Sequence, residues 1–141
     1  YLKVYKRKLN ASMAYVLLLI YRWDLAEKAA RRSPERWLHV PSFIAHDNKP
    51  ARAAAVRGDW AKLLYWDLLV PLPKKRDDGS KRNGHYKISE RGRQFAAGLI
   101  RVPSHVFVCN KQLLDRPVAT TVDIREALGA TFNYDDLMEG T

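Results

Sequence analysis

Apolar residues recur at helical spacing through Met13, Val16, Leu17, Ile20 and Leu25, which predicts a helix from Ala11 to about Arg31 or Arg32 with one buried face. Asn10 or Ser12 is its expected cap, because a short polar side chain accepts a hydrogen bond from an otherwise unpaired amide at a helix start. Ahead of it, "YLKVYKRK" alternates apolar and basic residues and suits a short strand or arm. Trp37 to Val40 reads as a short strand, and Pro41 fits the first turn of a second helix through Ile44 to about His46. "DNKPARAAAVRG" is the connection to a third helix, which Asp59 caps and which runs from Trp60 to about Leu68. At about 100° per residue, Trp60, Leu63, Leu64 and Leu68 share its buried face, while Lys62, Tyr65 and Trp66 point the other way or sideways.

The second half is patterned for strands and caps. "LLVPLP" reads as an edge strand, since Pro71 and Pro73 cannot donate to a ladder, and "HYKIS" is its partner. Between them "KKRDDGSKRNG" holds two turn signals, Asp78-Gly79 and Asn83-Gly84. Ser89 caps a helix through Phe95 that stops at Gly98, and "VFVCNKQLL" is a hairpin turning at Asn110-Lys111. "TTVDIREALG" is a helix closed by Gly129, and in "NYDDLMEG" Asn133 caps a last short helix with Asp136 in its first turn. The expected core comprises Val16, Leu17, Ile20, Leu63, Leu64, Leu68, Ile88 and Phe95.

Length and composition change this picture in one respect, the sign of the surface. A chain of 141 residues, 47% hydrophobic, supports one core. Its net charge of +10 is uneven: residues 1–58 have 12 basic against 4 acidic side chains, residues 59–101 have 10 against 5, and residues 102–141 have 3 against 6. A polyanionic partner is therefore expected before residue 102, with nucleic acid as the leading candidate, while the acidic tail serves packing or partner contacts. The longest apolar run, Ala14 to Tyr21, is too short for a membrane span, so no membrane role is expected. No secretory signal pattern is read, and the single Cys109 cannot form an internal disulfide; a cytoplasmic setting is the expectation.

The order helix, short strand, helix, helix, strand, basic loop, strand resembles the winged-helix form of the helix-turn-helix. "AKLLYWDLLVPLP" looks like a recognition helix running into the first wing strand, and "GHYKISERGRQF" looks like the second wing strand leading into the next helix. The "ISERGRQF" element is similar to one found at this point in MarR-like and PadR-like regulators. The likeness to winged-helix proteins of phages and prophages extends to "KRKLNASMA" and the tail. The resemblance covers about Asn10 to Gly98 and implies an α+β fold: a winged helix-turn-helix with an extra C-terminal β-hairpin and short helices. The expected organisation is a basic arm over 1–10, the winged-helix domain over 11–98, and a hairpin with short helices over 99–141 packed on the same domain. In such a fold the third helix enters the major groove and the wing passes phosphates. The expected DNA-binding residues are then Lys74, Lys75, Arg76, Lys81 and Arg82 on the wing, Arg52 and Arg57 flanking the reading helix, and Lys62 on its outer face. The tryptophans anchor that helix from behind; Trp66, if exposed, would instead mark a protein contact.

Enzyme chemistry finds no support in the pattern. Asp77-Asp78 and Asp135-Asp136 are adjacent pairs in a turn and a helix start, with no His or Lys beside them to complete a general acid and base. His39, His46, His85 and His105 are scattered, and one cysteine cannot supply a structural zinc site; no metal is expected. No glycine-rich phosphate loop occurs, so no cofactor is expected. Two readings follow: a double-stranded DNA-binding protein, as in a transcriptional regulator of phage or prophage type, or a winged-helix interaction module that binds a host or partner protein. A homodimer is open to either, although the tail offers only short helices in place of a long dimerisation helix.

Overall fold

The computed structural model describes residues 3–30, 37–45, 59–72 and 84–139, and the architecture is α+β, with small antiparallel sheets around a central helix. Helix α1 (Ala11–Ala29) is that centre. Asn10 caps it, its side chain accepting from the Met13 amide at 2.9 Å. The pattern predicted one buried face, yet Met13, Ala14, Tyr15, Val16, Leu17, Leu18 and Ile20 are all buried. An unbroken apolar run encircles the helix axis, so α1 can be enclosed on all sides. Leu25, assigned to the buried stripe, is exposed. It lies past that run, in the half where polar residues return.

Three short strands form one sheet, whose central strand packs on α1. β2 (Leu38–His39) leads directly into α2 (Val40–Ala45), with Pro41 in its first turn. A 3-10 helix (Asp59–Trp66) then runs into β3 (Leu69–Pro71), and β4 (His85–Ile88) returns antiparallel to it, Leu69 opposite Ile88 and Pro71 opposite Tyr86. β2 pairs with the other edge of β4, which makes the sheet order β2-β4-β3. Pro71 accordingly falls on an edge strand, while Pro73 lies outside the described residues.

The third helix departs from expectation in winding and rotation. It is 3-10 rather than α, and its buried line is Trp60, Leu63 and Trp66; Leu64 is 37% exposed. In an α-helix Trp60 and Trp66 would lie about 240° apart, whereas three residues per turn align them. Burying a second indole gains on the order of 4 kcal/mol or more, against roughly 2 kcal/mol for a leucine, so this winding wins. Trp66 donates its indole N–H to the Pro103 carbonyl at 2.7 Å, and Trp60 meets the Tyr86 ring edge-on at 5.0 Å. The helix closes with Asp67 at φ 60, where Leu68 N–H returns to Leu63 O and Asp67 N–H to Leu64 O. The Asp59 side chain, the expected cap, lies outside the described residues.

Helix α3 (Glu90–Ala96) is capped by Ser89, whose hydroxyl accepts from the Gly92 amide at 2.9 Å and donates to Asp67 O at 2.6 Å. Arg91 Nε donates to Trp66 O at 3.0 Å, so carbonyls left over at the end of the 3-10 helix are satisfied by α3. Gly92 permits this contact: a Cβ there would lie 2.2 Å from Leu68 O.

The remaining chain builds a second sheet and a helical cover. β5 (Val102–Pro103) is followed by β6 (His105–Cys109) and β7 (Gln112–Leu113), a hairpin turning at Asn110 and Lys111, both at positive φ. β1 (Val4–Lys8) pairs with β6 over five residues, giving the order β1-β6-β7. β8 (Thr121–Val122) pairs with β5. α4 (Ile124–Leu128) has a complete capping box from Asp123 and Glu126, and α5 (Tyr134–Met138) is capped by Asn133. Both pack on α1, with Phe132 stacked on Tyr15 at 4.6 Å. Of the eight residues expected in the core, all but Leu64 are buried.

Much of the tail's negative charge is held in local pairs. Arg101 bridges to Glu126 and Asp123, and Arg125 to Asp135 at 2.9 Å. These partners hold the Glu126 and Asp135 carboxyls below their ordinary range, in each case chiefly through the arginine hydrogen bond. Among the described residues no helix is long and apolar enough to cross a membrane.

Candidate nucleic-acid interface

Of the eight residues expected to touch DNA, the described structure places one. Lys62 is half-buried on the 3-10 helix, and it is that helix's single cation. Arg52, Arg57, Lys74, Lys75, Arg76, Lys81 and Arg82 lie outside the described residues. The frame around the last five is nevertheless fixed, because β3 and β4 are paired up to Pro71 and Tyr86, with Leu72 N–H donating to His85 O at 2.9 Å. Residues 73–83, with five basic and two acidic side chains, join those paired ends.

Lys62 does not stand alone. It shares a small cleft of about 180 Å³ with Lys6, Arg7, Lys8, Asn10 and Met13. The basic alternation of "YLKVYKRK" signals the strand, but not that β6, about 100 residues later, would hold it beside the 3-10 helix. Along β1 the side chains alternate. Lys6 and Lys8 emerge on the side of Phe107 and His105, their partners on β6, while Arg7 lies with Tyr5, its guanidinium 5.1 Å from that ring.

A larger groove of about 630 Å³ opens between the end of the 3-10 helix and residues 113–118. Tyr65, Arg91, His105, Phe107, Leu113 and Arg116 are among its walls, with Arg116 4.4 Å over the Phe107 ring and Tyr65 donating its hydroxyl to Lys111 O at 3.2 Å. Trp66, whose exposure would have marked a protein contact, is 3% exposed and anchors the helix from behind.

Two polar features escaped the pattern. Asp24 is 2% exposed within α1 and pairs with Arg93 Nε at 3.0 Å; that hydrogen bond is the main cause of the raised pKa of Arg93. A carboxylate in a helical pattern gives no sign of a partner 69 residues away. His39 and His85, scattered in sequence, are opposite one another on β2 and β4, with ring centroids 4.9 Å apart and His39 Nδ1 bonded to Ser42 Oγ at 2.6 Å. Among the described residues no three His, Cys, Asp or Glu side chains gather closely enough to hold a metal ion. Asp135 is paired with Arg125, and the Asp136 amide is bound by the Asn133 cap; Asp77 and Asp78 lie outside the described residues.

No protein-family model matches the chain, and neither a curated protein nor a solved structure matches it.

Proposed function

We propose that this protein binds duplex DNA as a winged helix, chiefly through phosphate contacts, with regulation of transcription the role that its resemblance implies. One observation carries the reading: the sheet order β2-β4-β3, entered from a helix leading straight into β3, with the basic segment 73–83 joining β3 to β4. In a winged helix that joining segment is the wing, and its cations lie where the DNA backbone passes. The short 3-10 helix carries Lys62 and no other cation, which favours backbone contact over extensive base reading.

The test is fluorescence anisotropy on random duplex DNA over a range of salt. Affinity should fall steeply, because each phosphate contact releases counterions and adds about 0.9 to the log–log slope. Changing Lys81 and Arg82 together to Ala should weaken binding on every sequence and make that slope shallower by about 1 to 2, with stability unchanged. Salt-independent affinity, or no binding at low salt, would defeat the proposal. Docking of a host or partner protein is the second reading, and the groove beside Tyr65 and Phe107 is the observation that favours it. In that case wing substitutions leave function intact, whereas substitutions at Leu113 and Arg116 abolish partner binding.

A further inference from the structure

The free side of β1 is an open sheet edge with a defined set of backbone groups. On its other side β6 pairs with it from Val4 opposite Cys109 to Lys8 opposite His105, and the ladder extends to Leu9, whose amide donates to Ser104 O at 3.0 Å. In an antiparallel ladder, bonded and non-bonded pairs alternate. Leu9 is a bonded position, so Arg7 and Tyr5 also bond toward β6, while Val4, Lys6 and Lys8 turn their N–H and C=O groups away from it. The far side of β6 agrees: Leu114 N–H donates to Phe107 O at 2.9 Å, which turns Phe107 toward β7 and leaves Val106 and Val108 to Arg7 and Tyr5. Val4, Lys6 and Lys8 are exposed, and among the described residues no further strand pairs with this edge.

The side chains along the edge select what can occupy it. Lys6 and Lys8 project from one face, and Lys3 and Arg7 from the other, where they lie 5.2 and 5.1 Å from the Tyr5 ring. Among the described residues no carboxylate pairs with any of the four, and β6 carries none. A second copy of β1 would set these cations against each other, and like charges directly opposite are destabilising. A phosphodiester would meet the lysines, yet it only accepts hydrogen bonds and would hold its own oxygens against the outward carbonyls. An extended acidic peptide matches both features: its backbone offers donors and acceptors alike, and carboxylates at every second position fall beside Lys6 and Lys8.

We infer that β1 is a strand-addition site for an extended acidic segment of a partner protein, bonded to the outward groups of Val4, Lys6 and Lys8 and paired in charge with the two lysines. The inference goes beyond DNA binding and uses neither residues 73–83 nor the groove beside Tyr65. The competing explanation is that Lys6 and Lys8 only guard an exposed edge, a common use of lysine, in which case no strand is accepted.

The experiment titrates the wild-type chain with labelled, end-blocked peptides of about eight residues, enough for one strand with short flanks. The probes are an alternating Glu-Val peptide, an alternating Lys-Val peptide, and a Glu-Val peptide N-methylated at every amide, which keeps the charge but cannot donate to a ladder. Only the first should bind. In amide hydrogen exchange it should protect Val4, Lys6 and Lys8, with little change at Tyr5 and Arg7, which already bond to β6. Lys6→Glu/Lys8→Glu should bind the Glu-Val peptide roughly tenfold more weakly or worse and take the Lys-Val peptide instead. Its melting temperature should match wild type, because both side chains are exposed. Val4→Pro removes one outward donor and no charge at the first position of the strand, and should weaken Glu-Val binding roughly fivefold. No binding of the Glu-Val peptide, equal binding of its methylated form, or binding without protection of the three amides would overturn the inference. If the chain takes no peptide, self-association of Lys6→Val/Lys8→Val assigns the lysines to edge protection, and loss of duplex affinity in Lys6→Glu/Lys8→Glu assigns them to nucleic acid.

Discussion

Alanine is the best helix former and glycine among the worst, so Gly92→Ala inside α3 should by propensity alone stabilise the protein by about 1 kcal/mol. The tertiary contact reverses the sign. A Cβ at Gly92 would lie 2.2 Å from the Leu68 carbonyl oxygen, 3.1 Å from its carbon and 2.8 Å from Ile88 Cγ1. The first two are backbone atoms and cannot rotate away. α3 would have to retreat from the start of β3 by roughly 1 Å, an overpacking cost of about 1 to 3 kcal/mol. That retreat also strains the bonds that tie α3 to the 3-10 helix: Ser89 N–H to Leu68 O, Ser89 hydroxyl to Asp67 O and Arg91 Nε to Trp66 O. Each contributes about 1 kcal/mol, so after the propensity gain the net loss is about 2 to 4 kcal/mol. For a chain of this size that is a fall in Tm of roughly 10 °C. Equilibrium urea unfolding followed by tryptophan fluorescence reads it, with Trp66 beside the strained junction. Gly98→Ala is the control: no atom lies within 4 Å of its added Cβ, and only its φ of +81 is unfavourable, which costs about 1 kcal/mol. A Gly92→Ala protein as stable as wild type would refute the close approach of α3 to Leu68.

Leu63→Ala should cost about 2 to 5 kcal/mol and Leu64→Ala less than about 1 kcal/mol; the reverse order in urea unfolding would restore an α-helical rotation of this segment. Arg93→Ala strands the buried Asp24 carboxylate and should cost about 2 to 4 kcal/mol, less than for a fully buried pair because the arginine side chain is a third exposed; the double variant with Asp24→Ala should recover part of the loss. Glu126 and Asp135 have carboxyl pKa values lowered by Arg101 and Arg125, so their contribution to stability is present above the ordinary carboxylate range and disappears as pH falls through the lowered values. Urea midpoints of the wild-type chain and of Arg101→Ala/Arg125→Ala should therefore converge toward acid pH; a constant gap would show that these arginines act through packing alone.

Local chemistry was legible in the sequence because it spans only a few residues. The Asn10, Ser89 and Asn133 caps each use a side chain and an amide three positions on, and the Asn110-Lys111 turn needs only two residues that tolerate positive φ. The α+β order, the β3 and β4 strands, seven of the eight core residues and the basic surface charge followed from patterning of the same short range. Tertiary structure decided the rest. Which face of the 3-10 helix turned inward depended on whether Tyr86 and Pro103 could receive two indoles, and neither lies near that helix in sequence. The α-helical wheel put Leu64 inward because it assumed a winding that this packing did not adopt. The same holds for the candidate cleft: "KRK" and Lys62 are plain in the chain, but they meet only because β6 holds β1 in register. Pairings of this kind gain their energy from burial and ladder bonds between residues far apart, and no local pattern carries that information.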